Sequence, residues 1–118
     1  MRRSVDEIIR GIPTFFVPER AGARRLIMAY QIARSEGGTS QWTVHVENGA
    51  CRVSPGIDKG FTTKVIATEE DYLRLARGKI DYATARWCGR IRLVGNTLGH
   101  RELNSFLDLA RSRGALYR

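Results

Sequence analysis

The sequence predicts an α+β fold, in which helices cover one face of a five-stranded, mostly antiparallel sheet. Five short segments are apolar or alternate between apolar and polar residues, as strands do, and capping-box patterns mark helix starts around them. A length of 118 residues is suited to one core. The expected element order is α-β-β-β-(crossover)-β-α-β-α, within a single domain over residues 1–118.

The first element is a short amphipathic helix. Ser4 and Glu7 form a capping box, in which each side chain accepts a hydrogen bond from an unpaired amide of the first turn. The apolar stripe that follows at helical spacing consists of Val5, Ile8, Ile9 and Ile12. Pro13 is expected to end the helix, and residues 14–18 are predicted to be a loop.

The strands are predicted from periodicity and turn residues. The first is apolar on both faces, which is typical of a central strand. Asn48-Gly49 is the strongest hairpin signal in the chain, because a type I′ turn needs positive φ at both central positions. Pro55 and Gly56 end the returning strand. The predicted strands are residues 25–33, 42–47, 50–53, 62–67 and 90–94.

Three further helices follow from caps and stripes. Thr68 and Asp71 form a second capping box, and Gly78 is the predicted C-cap of that helix. Asp81 is predicted to cap another short helix, which Gly89 ends. The last helix is predicted as one continuous element over residues 97–113, with an apolar stripe of Leu103, Phe106, Leu107 and Ala110.

The charge balance allows more than one interpretation. The net charge of +8 and the pI near 10.3 indicate a polyanionic partner, either an anionic membrane surface or a nucleic acid, or else a compositional bias toward arginine. No apolar run is long enough to span a bilayer or to form a signal peptide, so a cytoplasmic location is expected. Cys51 and Cys88 are predicted to be buried free thiols.

Residue patterns that indicate a catalytic, phosphate-binding or metal site are weak. His45 shares a strand face with Thr43 and Glu47, which a solvated face explains as well as an acid–base pair does. His100 is predicted to be a surface residue. The sequence has no nucleophile elbow, phosphate-binding glycine pattern or set of metal ligands at suitable spacing. We therefore predict no enzyme activity, no catalytic residue, no metal and no cofactor.

The aromatic residues are the unusual feature of this sequence. The rings that fall on faces or loops able to point inward are Phe15, Phe16, Trp42, Tyr72, Tyr82, Trp87 and Phe106. Large rings most often form the core, but several of them converging from loops and short helices also suit the apolar lining of a ligand cavity. The residues alone leave both interpretations open.

Residues 70–79 and 89–96 carry a resemblance to a known family. The first stretch has an acidic helix start and ends in Gly78-Lys79, and the second begins with a glycine and continues as an alternating strand to Gly95-Asn96. Together with the predicted hairpin, this order resembles the sterol carrier protein type 2 domain. Asn96 stands where that family usually has an acidic residue, and Asp81-Tyr82 replaces the common Asn-Pro.

The resemblance implies a helix-covered five-stranded sheet around an apolar tunnel for a sterol, a fatty acid or a fatty acyl-CoA. The ligand would be bound, and transferred inside the cell, without being chemically changed. The terminal helix is expected to form one wall of the tunnel and to act as its lid. The predicted ligand-binding residues are Phe15, Phe16, Trp42, Tyr72, Leu75, Tyr82, Trp87, Leu93, Leu98, Phe106 and Leu107.

Two other functions compete with this hypothesis. The chain could be an accessory or protein-interaction module whose apolar groove holds a helix of another protein, with no free lipid ligand. It could also bind nucleic acid through Arg86, Arg90 and Arg92, with Trp87 as a stacking ring. We rank nucleic acid last, because arginines that alternate with core residues also protect an edge strand.

Overall fold

The computed structural model describes residues 4–116, with side chains through Ser112. The strands are β1 Leu26–Ala33, β2 Thr39–Glu47, β3 Ala50–Pro55, β4 Thr63–Thr68 and β5 Ile91–Gly95. The helices are α1 Val5–Arg10, α2 Pro18–Ala21, α3 Glu69–Ala76, α4 Tyr82–Trp87, α5 Gly99–Ser105 and α6 Leu109–Leu116, with a 3-10 helix at Ile12–Phe15. Within residues 4–116, none of these helices is long and apolar enough to cross a membrane.

The five strands form one mixed sheet in the order β3-β2-β1-β4-β5. Neighbouring pairs are antiparallel except β1 and β4, which run parallel. This confirms the predicted five-stranded, mostly antiparallel sheet. The first strand is central, and its residues Leu26 to Tyr30 are all buried.

The turn between β2 and β3 confirms the hairpin prediction. Asn48 has a φ of 53° and Gly49 a φ of 72°, the left-handed pair that a type I′ turn requires. Asparagine and glycine tolerate this region better than other residues do. The turn sets Val46 opposite Cys51 and Val44 opposite Val53, so that all four side chains lie on the helix-covered face.

The core lies between that face and the helices. Leu26, Met28, Tyr30 and Ile32 alternate along β1 toward it, and they pack with apolar residues of β2, β4 and β5. Predicted caps fix the helix starts, because Ser4, Thr68 and Asp81 each accept a hydrogen bond from the amide three residues later. Each of these caps contributes about 1 kcal/mol.

The opposite face is partly covered by the crossover between β3 and β4. Residues 56–62 pass over β2 and β1, where the Thr43 hydroxyl donates to the Gly56 carbonyl at 2.7 Å and accepts from the Asp58 amide at 3.0 Å. The Thr62 amide donates to the Ile27 carbonyl at 2.8 Å. The parallel β1–β4 pair therefore arises from a short loop rather than from a crossover helix.

The terminal helix is not continuous, so the prediction of one helix over residues 97–113 is wrong. It breaks into α5 and α6, because residues 106–108 pair with the N-terminal segment. The Val17 amide donates to the Phe106 carbonyl and the Asp108 amide to the Phe15 carbonyl, both at 2.8 Å. These bonds replace those that a continuous helix would make.

The N-terminal segment also differs from the prediction. α1 ends at Arg10 and is capped by the Gly11 amide, and Pro13 lies inside the 3-10 helix that follows. A proline in a first helical turn loses no hydrogen bond, which is why Pro13 starts an element instead of ending one. The indole of Trp42 donates to Asp6 Oδ1 at 2.7 Å and fixes α1 against β2.

Candidate functional site

A cavity of about 140 Å³, here called the inner cavity, lies between the helices and the covered face of the sheet. Side chains from α1, the 3-10 helix, β1, α3 and the two terminal helices surround it. Its lining consists of Ile8, Ile12, Phe15, Tyr30, Tyr72, Leu75, Ala76, Ile80, Tyr82, His100, Leu103, Asn104, Leu107, Leu109 and Ser112.

The lining is apolar and carries no formal charge. Tyr30 and Tyr72 are both buried and meet edge to face, with ring centroids 5.8 Å apart. Burial raises the pKa of both phenols above the usual value, so they stay neutral. Burial also lowers the pKa of the His100 imidazole to about 4, so that it is neutral at pH 7. The cavity thus offers aliphatic and aromatic surface with a few hydroxyl and amide groups.

One group of these side chains, here called the wall, also lines a groove on the surface. It consists of Tyr82, His100 and Asn104. The Tyr82 ring stacks on the His100 imidazole, with centroids 4.3 Å apart and planes 9° from parallel. His100 Nε2 lies 3.1 Å from Asn104 Nδ2, and the Tyr82 hydroxyl donates to the Thr97 carbonyl at 3.2 Å.

His100 Nδ1 is enclosed and meets no hydrogen-bond partner among the described residues. Leaving a buried polar group unpaired costs about 1 to 3 kcal/mol. The unpaired His100 Nδ1 therefore destabilises the closed wall. A rearrangement of Tyr82, or a polar ligand atom beside Nδ1, would remove this cost.

Gly99 explains how His100 reaches this position. A Cβ at Gly99 would lie 2.8 Å from Thr63 Cβ and 3.0 Å from Met28 Sδ, too close for any side chain. The absence of one lets the start of α5 press against β1 and β4. The Thr63 hydroxyl donates to the Asn96 carbonyl and holds the turn before the helix.

On the outer side of the wall lies a groove of about 790 Å³, here called the outer groove. It shares the three wall residues with the inner cavity. Its other lining residues are Ala83, Arg86, Trp87, Thr97, Leu98 and Arg101. Cavity and groove are therefore adjacent spaces on either side of the wall.

The structure brings seven of the eleven predicted ligand-binding residues to one of these two spaces. Those on the inner cavity are Phe15, Tyr72, Leu75, Tyr82 and Leu107, and those on the outer groove are Tyr82, Trp87 and Leu98. Because Tyr82 belongs to both, the two sets contain seven residues with Tyr82 counted once.

The remaining four, Phe16, Trp42, Leu93 and Phe106, line neither space. Phe106 is fully buried at 0% exposure and packs in the core. Phe16 lies opposite Leu107 in the short pairing that breaks the terminal helix. Trp42 and Leu93 are half-buried on β2 and β5 and pack against the core.

Three predictions on individual side chains are wrong. Trp87, expected to point inward, is 91% exposed because it ends α4 on the side away from the core. Cys88 follows it and is also exposed, whereas Cys51 is half-buried. His100, expected at the surface, is only 6% exposed. The sequence feature that could have indicated this burial is Gly99, which permits the close approach of α5 to the sheet.

His45 lies away from these spaces, on the opposite face of the sheet. Its Nε2 atom is 3.0 Å from Asp58 Oδ2, so the crossover loop supplies its partner. Glu47, the partner considered from the sequence, instead lies 3.8 Å from Arg25. The His45–Asp58 pair holds residues 56–62 against β2.

Comparison with solved structures shows the same fold. Palmitated SCP2L2 from Aedes aegypti matches with a TM-score of 0.69 and 22% identity, covering 86% of this chain and 91% of that one. A sec-alkyl sulfatase, PisA1, matches with a TM-score of 0.78 and 17% identity, covering 90% of this chain but 16% of that one.

Curated sequences match over a shorter stretch. Human sterol carrier protein 2 is 31% identical over 71 residues, which cover 59% of this chain and 13% of that protein. Peroxisomal multifunctional enzyme type 2 of Mus musculus is 30% identical over 76 residues, 62% of this chain and 10% of that protein. The matched stretch is thus a small part of each relative. The SCP-2 sterol transfer family matches residues 19–108, about three quarters of the chain, and the protein belongs to that family.

Proposed function

We propose that this protein binds an acidic, single-chain lipid of the fatty acid or fatty acyl-CoA class and carries it between membranes. The observation that carries the proposal is that an uncharged, mostly apolar cavity and an arginine-lined groove share the three wall residues. An acyl chain would occupy the inner cavity. Its acidic head group would lie in the outer groove near Arg86 and Arg101.

The small volume of the inner cavity supports a wall that opens. Sites for small molecules usually measure about 300 to 1,000 Å³, and the inner cavity of about 140 Å³ is smaller than that range. Displacing the Tyr82 ring from His100 would join it to the outer groove. A single tunnel would then be long enough for an acyl chain, and His100 Nδ1 would become accessible to a partner.

Charge favours an acidic lipid over a sterol within the class of hydrophobic ligands. The groove lining contains two arginines and no carboxylate. A guanidinium group binds carboxylate and phosphate oxygens with two parallel hydrogen bonds, whereas a sterol offers one hydroxyl. We propose that the chain performs no chemical step of its own, that it works in the cytoplasm, and that anionic membranes supply and receive the lipid.

A cavity-filling substitution tests the proposal. Ala76 lines the inner cavity from α3, and Ala76→Phe would place a ring where the acyl chain should lie. We expect affinity for a fluorescent fatty acid, measured by titration and displacement, to fall at least tenfold. Native mass spectrometry of the wild-type protein should also detect a retained lipid mass.

The matched control is Ala110→Phe on α6. Ala110 is exposed and lies outside both the cavity and the groove, so the same side chain is added without filling either space. Equal affinity loss in both variants, or no saturable binding in the wild type, contradicts the proposed function.

A second candidate function is an accessory module of a larger assembly. The match covers only 10% to 16% of several relatives, which are much longer proteins. In that case the outer groove would hold a helix of another protein. A stable complex with no lipid mass in native mass spectrometry would favour this function.

A further inference from the structure

The outer groove carries an unusual pair of exposed apolar side chains. Trp87 is 91% exposed and Leu98 is 62% exposed, and they are two of the three large hydrophobic residues exposed in the described chain. Trp87 ends α4 and Leu98 precedes α5, yet both line the same groove. Contiguous exposed apolar side chains mark a site that contacts a membrane, a ligand or another protein.

We propose that Trp87, Leu98, Arg86 and Arg101 form a docking surface for an anionic lipid bilayer. Tryptophan favours the interface between water and acyl chains, because its ring is apolar and its N–H is polar. Arg86 and Arg101 line the same groove and would contact acidic head groups, in agreement with the net charge of +8. This inference rests on the proposed lipid binding.

The position of the wall favours a bilayer over other partners. A lipid that leaves a membrane at this surface meets the Tyr82 and His100 rings directly, with the inner cavity behind them. The acyl chain therefore passes from bilayer to cavity without crossing bulk water. A membrane contact elsewhere on the molecule would not give this path.

Nucleic acid fits the surface less well. Arg90, one of the three arginines considered for that partner, lies 3.1 Å from Asp71 across the gap between β5 and α3. Trp87 is then a single stacking ring, with Arg86 and Arg101 in the same groove. Binding to single strands uses a series of rings along a basic groove.

The test is sedimentation with vesicles of phosphatidylglycerol and phosphatidylcholine. We expect binding to the anionic vesicles, a fall with added salt, and little binding to pure phosphatidylcholine. Arg86→Gln and Arg101→Gln should each weaken binding roughly fivefold. Trp87→Ala should weaken it further, through loss of buried apolar area.

Arg52→Gln is the matched control. Arg52 is exposed on β3 and lies opposite His45, on the sheet face away from the groove. Its loss lowers the net charge by the same amount, so binding should change less than twofold. Trp87 also reports the contact itself: in the Trp42→Phe variant, its emission should shift to the blue on anionic vesicles.

Several outcomes overturn the proposal. Equal weakening by Arg52→Gln would show that total charge, not this surface, drives binding. Binding to a single-stranded oligonucleotide with none to vesicles would assign the surface to nucleic acid. Titration of the wild-type protein with a soluble fatty acid separates the two hypotheses, because Arg86 and Arg101 take part in both. Intact fatty acid binding without vesicle binding overturns docking alone, whereas no fatty acid binding in the wild type overturns the proposed function.

Discussion

The ring of Tyr82 lies parallel to the imidazole of His100, with their centroids 4.3 Å apart. The stack places a histidine, a residue that usually takes up a proton near pH 6.5, in a setting that disfavours the charged form. Burial lowers the pKa of His100 to about 4. The wall between cavity and groove is therefore sensitive to acid.

The first prediction is a loss of stability as the pH falls from 7 to 5. In this window the unfolded chain protonates His100 and the folded chain does not, so the unfolded state binds more protons and gains stability. The free energy of unfolding should fall by about 2 kcal/mol from this group alone. Urea unfolding at both pH values measures it. The window lies above the range in which Asp6 and Asp58, whose pKa values are lowered, take up protons.

His100→Phe is the matched variant, since it keeps a ring against Tyr82 and cannot take up a proton. Between pH 7 and pH 5, its free energy of unfolding should therefore fall by about 2 kcal/mol less than that of the wild type. If the wild type and His100→Phe show the same pH dependence, His100 does not contribute to acid sensitivity.

The second prediction concerns the approach of α5 to the sheet. Gly99→Ala would push a methyl group into Thr63 and Met28, and overpacking of this kind costs about 1 to 3 kcal/mol. Gly60→Ala is the control, because its Cβ would meet only the flexible carboxylate of Asp58, at 3.3 Å. Thermal unfolding should show a clear loss for Gly99→Ala and a small change for Gly60→Ala. Similar losses would contradict the close approach.

The sheet was predictable from the sequence because its signals are local. Asn48-Gly49 determines the turn and the register of its hairpin, and the Thr68 and Asp81 caps determine two helix starts within a residue. Each signal depends on residues within a few positions of one another. No distant part of the chain had to be known.

The break in the terminal helix and the burial of His100 were not predictable in this way. The stripe through Leu103 and Phe106 continues at helical spacing, whereas the hydrogen bonds that break the helix come from Phe15 and Val17, about ninety residues away in sequence. His100 is buried because Tyr82 covers it. Periodicity also assigned Trp87 to the interior, because it does not show which side of a one-turn helix meets the core.

The third prediction separates the two thiols. Cys88 is exposed, whereas Cys51 is half-buried and burial raises the pKa of its thiol to about 11. The thiolate is the reactive form, so at pH 8 only about one Cys51 in a thousand is reactive. Dithionitrobenzoate should label one thiol quickly and the other only slowly or after unfolding. Cys88→Ser should remove the fast phase, and its persistence in that variant would contradict the assignment.

The last prediction separates core from cavity at two adjacent residues. Phe106 is fully buried and lines neither space, and the Arg24 guanidinium lies 5.9 Å from its ring centroid. Leu107 is also buried but lines the inner cavity. Phe106→Ala should cost about 3 to 5 kcal/mol of stability, as truncation of a packed ring does, and should leave fatty acid affinity unchanged.

Leu107→Ala should have the opposite pattern of effects on stability and on fatty acid affinity. Its side chain already borders empty space, so truncation enlarges an existing cavity and should cost less stability than Phe106→Ala does. It also removes a contact with the proposed acyl chain, so fatty acid affinity should fall. Leu98→Ala in the outer groove should change stability by no more than about 0.5 kcal/mol, as at other exposed positions. Urea unfolding and fatty acid titration of all three variants check the pattern. If Phe106→Ala weakens binding as much as Leu107→Ala does at equal folded fraction, the acyl chain does not occupy the inner cavity in the way proposed.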